Sequence, residues 1–385
     1  MNILFISNLY PQIGDKNFLD GTFALHQFVR EWAKNEHVVV IKPIIRYFDF
    51  RLQDEDYYIE NVRVRKVHIF KVPKIPIFYY QRMFNYLKKI NIKFDIIIGH
   101  CGHSNLIAYK VANRLRIPLM VGLHQTDIKI LSKITKAWYL KKIIMSSVGV
   151  VCRSDSIYNR MLKMVNIVKQ PCFIANSGVS KKLIEEVSFS LNKLNELKLT
   201  KKVTFITCAQ LIKRKNIDIN LKVLSKLNNI EWIYYIVGEG KERKKLEKLT
   251  EDLGIYKKVK FFGQLPWRET IEIMKTADIY VMVSAPETFG LAYLEAMAKG
   301  CVVIGAKGYG IDGIIINGKN GYLCEPRNVE NLYNTLNTVL FNMCDKELES
   351  LLKEQHKTIN GLTDTDISAK YLDFIKSIVI KSKNA

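Results

Sequence analysis

Pro286-Glu287-Thr288-Phe289-Gly290-Leu291-Ala292-Tyr293-Leu294-Glu295-Ala296-Met297-Ala298-Lys299-Gly300 is the stretch on which the reading of this chain turns. A loop carboxylate, Glu287, stands before a Phe-Gly-Leu helix start, and a second, Glu295, follows eight residues later inside the helix. Gly290 has no side chain to cover the opening amides, so an anion can approach the positive end of the helix dipole. From Leu291 to Ala298 the residues are small, apolar or both, as in a helix packed into a core, and Gly300 supplies a left-handed stop. Glu295 is the one charge in that stretch, and a buried carboxylate needs partners. A ligand with hydroxyls for a carboxylate and phosphate oxygens for amides answers both needs, and a nucleotide-sugar is such a ligand. The competing reading is an ordinary amphipathic helix with Glu295 on a solvated edge. On spacing alone the two stand about even, because lone carboxylates in helices are common.

The surroundings shift the balance. With Phe-Gly-Leu between the glutamates and Glu-Ala-Met-Ala-x-Gly after them, the segment resembles the Glu-x7-Glu motif of retaining glycosyltransferases of the family 4 type, the glycosyl transferases of group 1. The resemblance implies an α/β chain of the GT-B fold. Two Rossmann-like, doubly wound domains would face a cleft, with a C-terminal helix returning to the N-terminal domain.

Composition sets outer bounds. A chain of 385 residues is long enough for two cores. With 48% hydrophobic and 25% charged residues it reads as soluble and globular. No apolar run reaches membrane-spanning length, and Met1-Asn2-Ile3-Leu4-Phe5-Ile6-Ser7 reads as a first strand, not a signal peptide. Seven scattered cysteines without Cys-x-x-Cys fit reduced thiols in a cytoplasm. Residues 1–180 hold 27 Lys and Arg against 12 Asp and Glu, a net of +15, while residues 181–385 carry a net of +7. That excess argues for an anionic partner, either membrane surface or nucleic acid.

Short apolar runs alternate with helical patterns, the signature of parallel sheets with crossover helices. The first half yields strands at Asn2–Ser7, Val38–Lys42, Asp95–Gly99, Leu119–Leu123, Val148–Cys152 and Phe173–Ala175, with helices such as Phe23–Ala33, Ser104–Leu115 and Asp155–Val165. The second half yields Val203–Cys208, Trp232–Val237, Val259–Phe262, Ile279–Val283 and Val302–Gly305, and a final amphipathic helix runs from about Ile367 to Ile380. Polar, strandless Ser180–Lys202 reads as the linker. The expected domains are 1–180, joined by a returning helix at 364–385, and 181–363. The resemblance makes the first acceptor-binding and the second nucleotide-sugar-binding. In such folds ligands lie at the carboxyl ends of the strands.

Several loops fall at those ends. Asp20-Gly21-Thr22-Phe23 opens the first long helix; read alone it is an Asp N-cap with a turn glycine, and the resemblance implies that Gly21 and Thr22 approach the donor. His124-Gln125-Thr126-Asp127 closes a strand and resembles the family's His-Gly-x-Asp, which would put His124 beside the transferred sugar and Asp127 in the donor site. Gln125 replaces the usual glycine. Lys213-Arg214-Lys215 could meet a diphosphate or could be a solvated basic loop. Lys215-Asn216-Ile217-Asp218 resembles Lys-Gly-x-Asp, whose lysine neutralises the leaving diphosphate. Gln210 stands where the family often has arginine, so Lys213 or Arg214 supplies the second charge, or the site runs on one. Val237-Gly238-Glu239-Gly240 and Phe262-Gly263-Gln264-Leu265 resemble the nucleotide-base region, and Asn176-Ser177-Gly178-Val179 resembles the end of the first domain.

His100-Cys101-Gly102-His103 has too few ligands for a zinc site and reads as a polar turn. Neither it nor any Asp-x-Asp offers a metal site, so no metal or other cofactor is expected. Lys71, Lys74, Arg82, Lys88, Lys89 and Lys93 interleave with Phe78, Tyr79, Tyr80, Phe84 and Tyr86, and Trp138-Tyr139 lies between Lys136 and Lys141-Lys142. Such segments suit an anionic bilayer or, equally, an amphipathic core helix with a basic outer face.

The expectation is therefore a retaining transferase that moves a sugar from a nucleotide-sugar, a UDP-sugar first, to a lipid-linked or cell-envelope saccharide. It would be cytoplasmic and peripheral on the inner membrane face, with no nucleic-acid partner. The resemblance assigns catalysis to Glu287, His124 and Lys215, and donor binding to Gly238, Glu239, Gly240, Leu265, Phe289, Gly290, Leu291 and Glu295 as well. The alternatives are a glycoside hydrolase using Glu287 and Glu295, or a basic nucleic-acid-binding protein.

Overall fold

The computed structural model describes residues 1–12, 23–46, 53–71, 78–165, 168–185 and 202–383. The chain divides into two units. One holds Met1–Arg153, Ile157–Ser177 and Asp364–Ala385; the other holds Ser154–Ser156 and Gly178–Thr363.

In the first unit the strands are β1 (Asn2–Ile6), β2 (His37–Arg46), β3 (Glu55–Ile59), β4 (Val62–Lys71), β5 (Phe78–Tyr79), β6 (Ile96–His100), β7 (Leu119–Leu123), β8 (Gly149–Cys152) and β9 (Cys172–Ile174). They lie in the order β3-β4-β2-β1-β6-β7-β8-β9, with β5 also paired to β4. Only β3 and β5 run antiparallel to their neighbour β4. Every residue of β6, β7 and β8 is buried, as expected of parallel strands covered by helices on both faces. The apolar runs found in the sequence are these strands.

The stretch from 43 to 94 differs from expectation: β2 runs on to Arg46, and β3, β4 and β5 follow where no strand was foreseen. In β4, Val64, Val67 and Ile69 are buried while Arg63 stays out in water and pairs with Asp56 across the hairpin. Cations alternating with β-branched residues on a half-solvated strand mask the apolar signal that the central strands show. The basic, aromatic helix Gln81–Ile90 buries Met83 and Leu87, and Tyr80, Phe84 and Tyr86 pack against the same core. Lys88, Lys89 and Lys93 face solvent. A packed apolar face with a basic face in water is common to both readings of this segment; the side chains of Lys71, Lys74, Phe78 and Tyr79 lie outside the described residues.

The last helix, Asp364–Lys383, belongs to the first unit. It presents Ile367, Tyr371, Ile375 and Ile378 as a buried stripe at helical spacing, and its partner is the helix Phe23–Trp32. Trp32 Nε1 donates to Ser368 O at 2.9 Å, and the Trp32 and Tyr371 rings meet edge to face at 4.8 Å. Ion pairs Arg30–Asp364 at 3.2 Å and Lys376–Glu36 at 2.7 Å flank this contact.

In the second unit β10 (Lys202–Cys208), β11 (Glu231–Val237), β12 (Val259–Gly263), β13 (Ile279–Val281), β14 (Val302–Ala306) and β15 (Tyr322–Cys324) form a wholly parallel sheet in the order β12-β11-β10-β13-β14-β15. The chain winds outward from β10 to β12, then restarts at β13 on the other side. The switch point lies between β10 and β13, and the loops leaving those strands converge there. β15, three residues long, was not foreseen.

Trp32→Ala should destabilise the first unit by about 3–5 kcal/mol, because it removes a fully buried indole and leaves Ser368 O without its donor. Urea unfolding followed by circular dichroism checks this, and a loss under about 1 kcal/mol would mean that the returning helix is not held there.

Candidate active site

Two loops meet at the switch point of the second unit. After β10 the chain makes a single 3-10 turn, Lys213–Lys215, and Asn216 then takes a left-handed conformation at φ 52° before the helix Ile217–Leu224. After β13 it runs through Ser284, Ala285, Pro286 and Glu287 to Gly290, the cap of the helix Leu291–Ala298. The loops are stitched together: Ala285 N donates to Arg214 O at 2.8 Å, and Asn216 Nδ2 donates to Val283 O at 2.7 Å.

This stitching places Lys215 Nζ 2.5 Å from Glu287 Oε2, with both side chains about 10% exposed. Arg214 Nη1 and Ser284 Oγ each reach the same oxygen at 3.0 Å. The second oxygen, Oε1, accepts from Thr288 N at 3.1 Å. Burial alone would raise the Glu287 carboxyl; the charges of Lys215 and Arg214 and the hydrogen bonds outweigh it, and the carboxyl is held down to about 2. Burial is also the leading influence on Lys215 and lowers its ammonium, against the pull of Glu287. Between Lys213 and Arg214, it is Arg214 that joins the site. Lys213 lines a separate groove with Asp218 and Glu242.

Gly290 has φ 89°, and a Cβ there would stand 2.5 Å from the Tyr293 ring. Glycine thus keeps the helix start bare, and the Leu291 and Ala292 amides have no partner in their own helix. Phe289 is buried beneath the turn. One helical turn further on, Glu295 sits at the edge of the apolar packing and its Oε1 accepts from Trp267 Nε1 at 2.7 Å. Burial raises its carboxyl, and the indole bond works the other way. Gly238 and Gly240 follow β11, pressed on the loop after β10: a Cβ would meet Ala209 O at 2.0 Å and Leu211 O at 2.3 Å. Gln210 and Leu265, both partly buried, lie in the loops after β10 and β12, and Glu239 pairs with Arg243.

The residues assigned to the first unit form their own cluster. His124 caps the helix Gln125–Leu131 after β7. Asp127 is turned inward: Oδ1 accepts from Gly102 N at 2.8 Å and Asn105 Nδ2 at 3.0 Å, and Oδ2 from His124 N at 2.9 Å. These bonds tie Asp127 to the His124 backbone and to the neighbouring turn and helix. Burial, followed by the Arg153 charge, holds the His124 imidazolium down to about 3, so His124 is neutral. Gly21 and Thr22 lie outside the described residues.

Three participants were missed. Ser284 and Trp267 carry no motif of their own, although a hydroxyl three residues before the loop glutamate is a hint. His100 was set aside as a polar turn; it is fully buried, with Nδ1 3.0 Å from His124 Nε2.

Two family models match the chain: "Glycosyltransferase Family 4" over residues 23–182 and "Glycosyl transferases group 1" over residues 190–358. The chain belongs to the glycosyltransferases of this family. The N-acetyl-alpha-D-glucosaminyl L-malate synthase of Bacillus anthracis is 25% identical over 323 residues, 82% of each chain. The alpha-monoglucosyldiacylglycerol synthase of Streptococcus pneumoniae is 25% identical over 78% of this chain and 70% of its own. Among solved structures, Anabaena HepE in complex with UDP and glucose superposes with a TM-score of 0.71 at 17% identity, covering 98% of this chain and all of that one. The fold is GT-B. The hydrolase alternative is not supported, because the matching family models and the relatives are glycosyltransferases.

A carboxyl lowered from 4.5 to about 2 contributes stability above its unfolded value and loses it as pH falls through that window. Wild type should therefore lose more stability between pH 4.5 and 2 than Glu287→Gln does. Urea midpoints compared across that range test this; parallel curves would mean that Glu287 is not the ionised partner of Lys215.

Proposed function

We propose that this glycosyltransferase moves a sugar from a UDP-sugar to a lipid-linked or cell-envelope saccharide, with retention at the anomeric carbon and without a bound metal. The observation that carries the reading is the Lys215–Arg214–Glu287 cluster at the switch point beside the bare Gly290 helix start. A buried lysine, a partly exposed arginine and uncovered amides meeting in one place form an anion site, and a diphosphate spans such a site. Lys215 and Arg214 take the charge that develops on the departing diphosphate, which is the work a metal ion would otherwise do. Glu295 accepts the ribose hydroxyls, and the glycine-lined turns Gly238, Glu239, Gly240 and Leu265 receive the base. His124 and Glu287 contact the transferred sugar, as the family resemblance implies. An ionised Glu287 engaged by two cations is a poor covalent nucleophile, so the departing phosphate oxygen is the group left to take the acceptor proton. A UDP donor is supported by the UDP-bound structural neighbour, and a lipid-linked acceptor by the diacylglycerol-linked product of one relative.

The test is a panel of nucleotide-sugars scored first for thermal stabilisation and then for turnover. A UDP-sugar should raise the midpoint, because a ligand that binds only the folded state does so. Glu295→Ala should weaken UDP binding at least tenfold, given about 1.5–3 kcal/mol for a charge-assisted hydrogen bond. Lys215→Ala should cut turnover far more than it cuts stability, and exhaustive EDTA treatment should leave turnover intact. Tight UDP binding by Glu295→Ala, or activity lost to EDTA and restored by one divalent ion, would refute those assignments.

The membrane reading rests on the exposed Lys88, Lys89 and Lys93 and on a second helix. Ile134–Met145 carries Trp138, 65% exposed, and Met145, 62% exposed, beside the basic residues Lys141 and Lys142. Among the described residues no helix is long and apolar enough to cross a membrane. An exposed indole among cations suits the headgroup region of an anionic leaflet, where each cation contributes about 1 kcal/mol. Co-sedimentation with phosphatidylserine vesicles should fall with salt and drop in Trp138→Ser/Lys142→Ser. Equal binding to neutral vesicles, or none to either, would end the membrane reading and leave the transferase untouched.

A further inference from the structure

His100 ends β6 inside the first unit, and its ring occupies a slot that the sequence shapes for it. A Cβ at Gly122, on the adjacent strand β7, would stand 2.2 Å from the ring's Nδ1 and Cε1, so only glycine admits the imidazole. Phe5 of β1 stacks on its other face at 5.2 Å. The ring is thereby held edge-on between two partners. Nε2 lies 2.9 Å from the Tyr371 hydroxyl and Nδ1 lies 3.0 Å from His124 Nε2. Tyr371 comes from the C-terminal helix, and its own ring is fixed by Trp32, Phe28 and Phe173.

The direction of the protons follows from satisfying each group in turn. The Tyr371 side chain is fully buried, and among the described residues its hydroxyl has His100 Nε2 as its partner. A buried hydroxyl proton left without an acceptor is penalised, so Tyr371 donates to Nε2. His100 is neutral: burial, then His124 and the Arg153 charge, lower its imidazolium well below the usual range. A neutral imidazole carries one proton, and with Nε2 accepting, that proton is on Nδ1. Nδ1 then donates to His124 Nε2, and neutral His124 must carry its own proton on Nδ1. Arg153, which adds to burial in disfavouring charge on both rings, is itself anchored by Ala175 O at 2.6 Å and Ser177 Oγ at 2.7 Å.

We propose that Tyr371 and His100 are positioning residues for His124, and that their hydrogen-bond chain fixes its ring in the Nδ1–H tautomer so that it meets a sugar oxygen as a donor. The chain stands on the geometry of the first unit alone; the sugar contact rests on the transferase reading above. Such outer partners set which nitrogen of a histidine carries the proton, and their loss lets the ring take either form.

The experiment uses the full chain labelled with 15N-histidine, with Tyr371→Phe as the variant that keeps the ring and removes the hydroxyl. Imidazole nitrogen NMR at neutral pH, with His124 assigned through His124→Gln, should show a protonated Nδ1 in wild type. In Tyr371→Phe the preference for that tautomer should fall about tenfold, the effect of one buried hydrogen bond. Turnover should fall by a similar factor with the donor KM within about twofold. A brace without a role in proton placement would lower stability and leave the tautomer unchanged. A protonated Nε2 on His124 in wild type overturns the proposal even if the variant fails to fold, and so does an unchanged tautomer in a folded Tyr371→Phe. If wild type turns over no nucleotide-sugar, the transferase reading fails, while the nitrogen spectra still decide the chain.

Discussion

Because each sheet is parallel where it matters, its central strands end on one side of that sheet, and it has one place where the winding reverses and two loops are forced together. In the second unit that place lies between β10 and β13, and the two loops bring Lys215 and Glu287, 72 residues apart, to 2.5 Å. The equivalent place in the first unit lies between β1 and β6. There Ser7 Oγ donates to His100 O at 3.1 Å, and Asn8 N donates to Ser104 Oγ at 2.8 Å. Each functional cluster described above lies at or next to such a reversal. The polar groups are tolerated in the interior because the loops that carry them also supply their partners.

That constraint explains how much could be read from the sequence. The strands β6, β7, β8 and β14 are buried along their whole length, so their apolar runs stand out against any background. Glu287 through Gly300 was legible for a different reason: cap, glycine and carboxylates are all local, and a local pattern needs no tertiary knowledge. The hairpin β3–β4 was not legible, since Arg63, Arg65 and Lys66 alternate with its buried residues and one face meets water. Nor could the spacing decide between Lys213 and Arg214. A 3-10 turn sends three consecutive side chains in three directions, and only the packing of the Ser284 loop against it selects Arg214 and Lys215.

The partners of His124 lie at the far limit of legibility. Tyr371 is 271 residues from His100, on a helix whose amphipathic pattern announces burial without announcing against what. Gly122 looks like an ordinary strand glycine until the imidazole beside it is placed. A glycine inside a buried strand often marks a close approach, and here the group that approaches is a titratable ring. That is the kind of signal that can be used afterwards but not beforehand.

The two units hold their ionisable groups in opposite ways. In the second, a carboxylate and two cations stay charged because they neutralise one another, and an arriving polyanion would compete with Glu287 for Lys215 and Arg214. In the first, burial and a single buried guanidinium keep His100 and His124 uncharged, and what is controlled is the position of a proton. Charge pairing allows the cations to be exchanged between partners at modest expense, since one ion replaces another. A neutral hydrogen-bond chain allows no such exchange, because displacing any member leaves an unsatisfied buried group. A site that must release a charged product fits the first arrangement, and a residue that must present the same atom at every turnover fits the second.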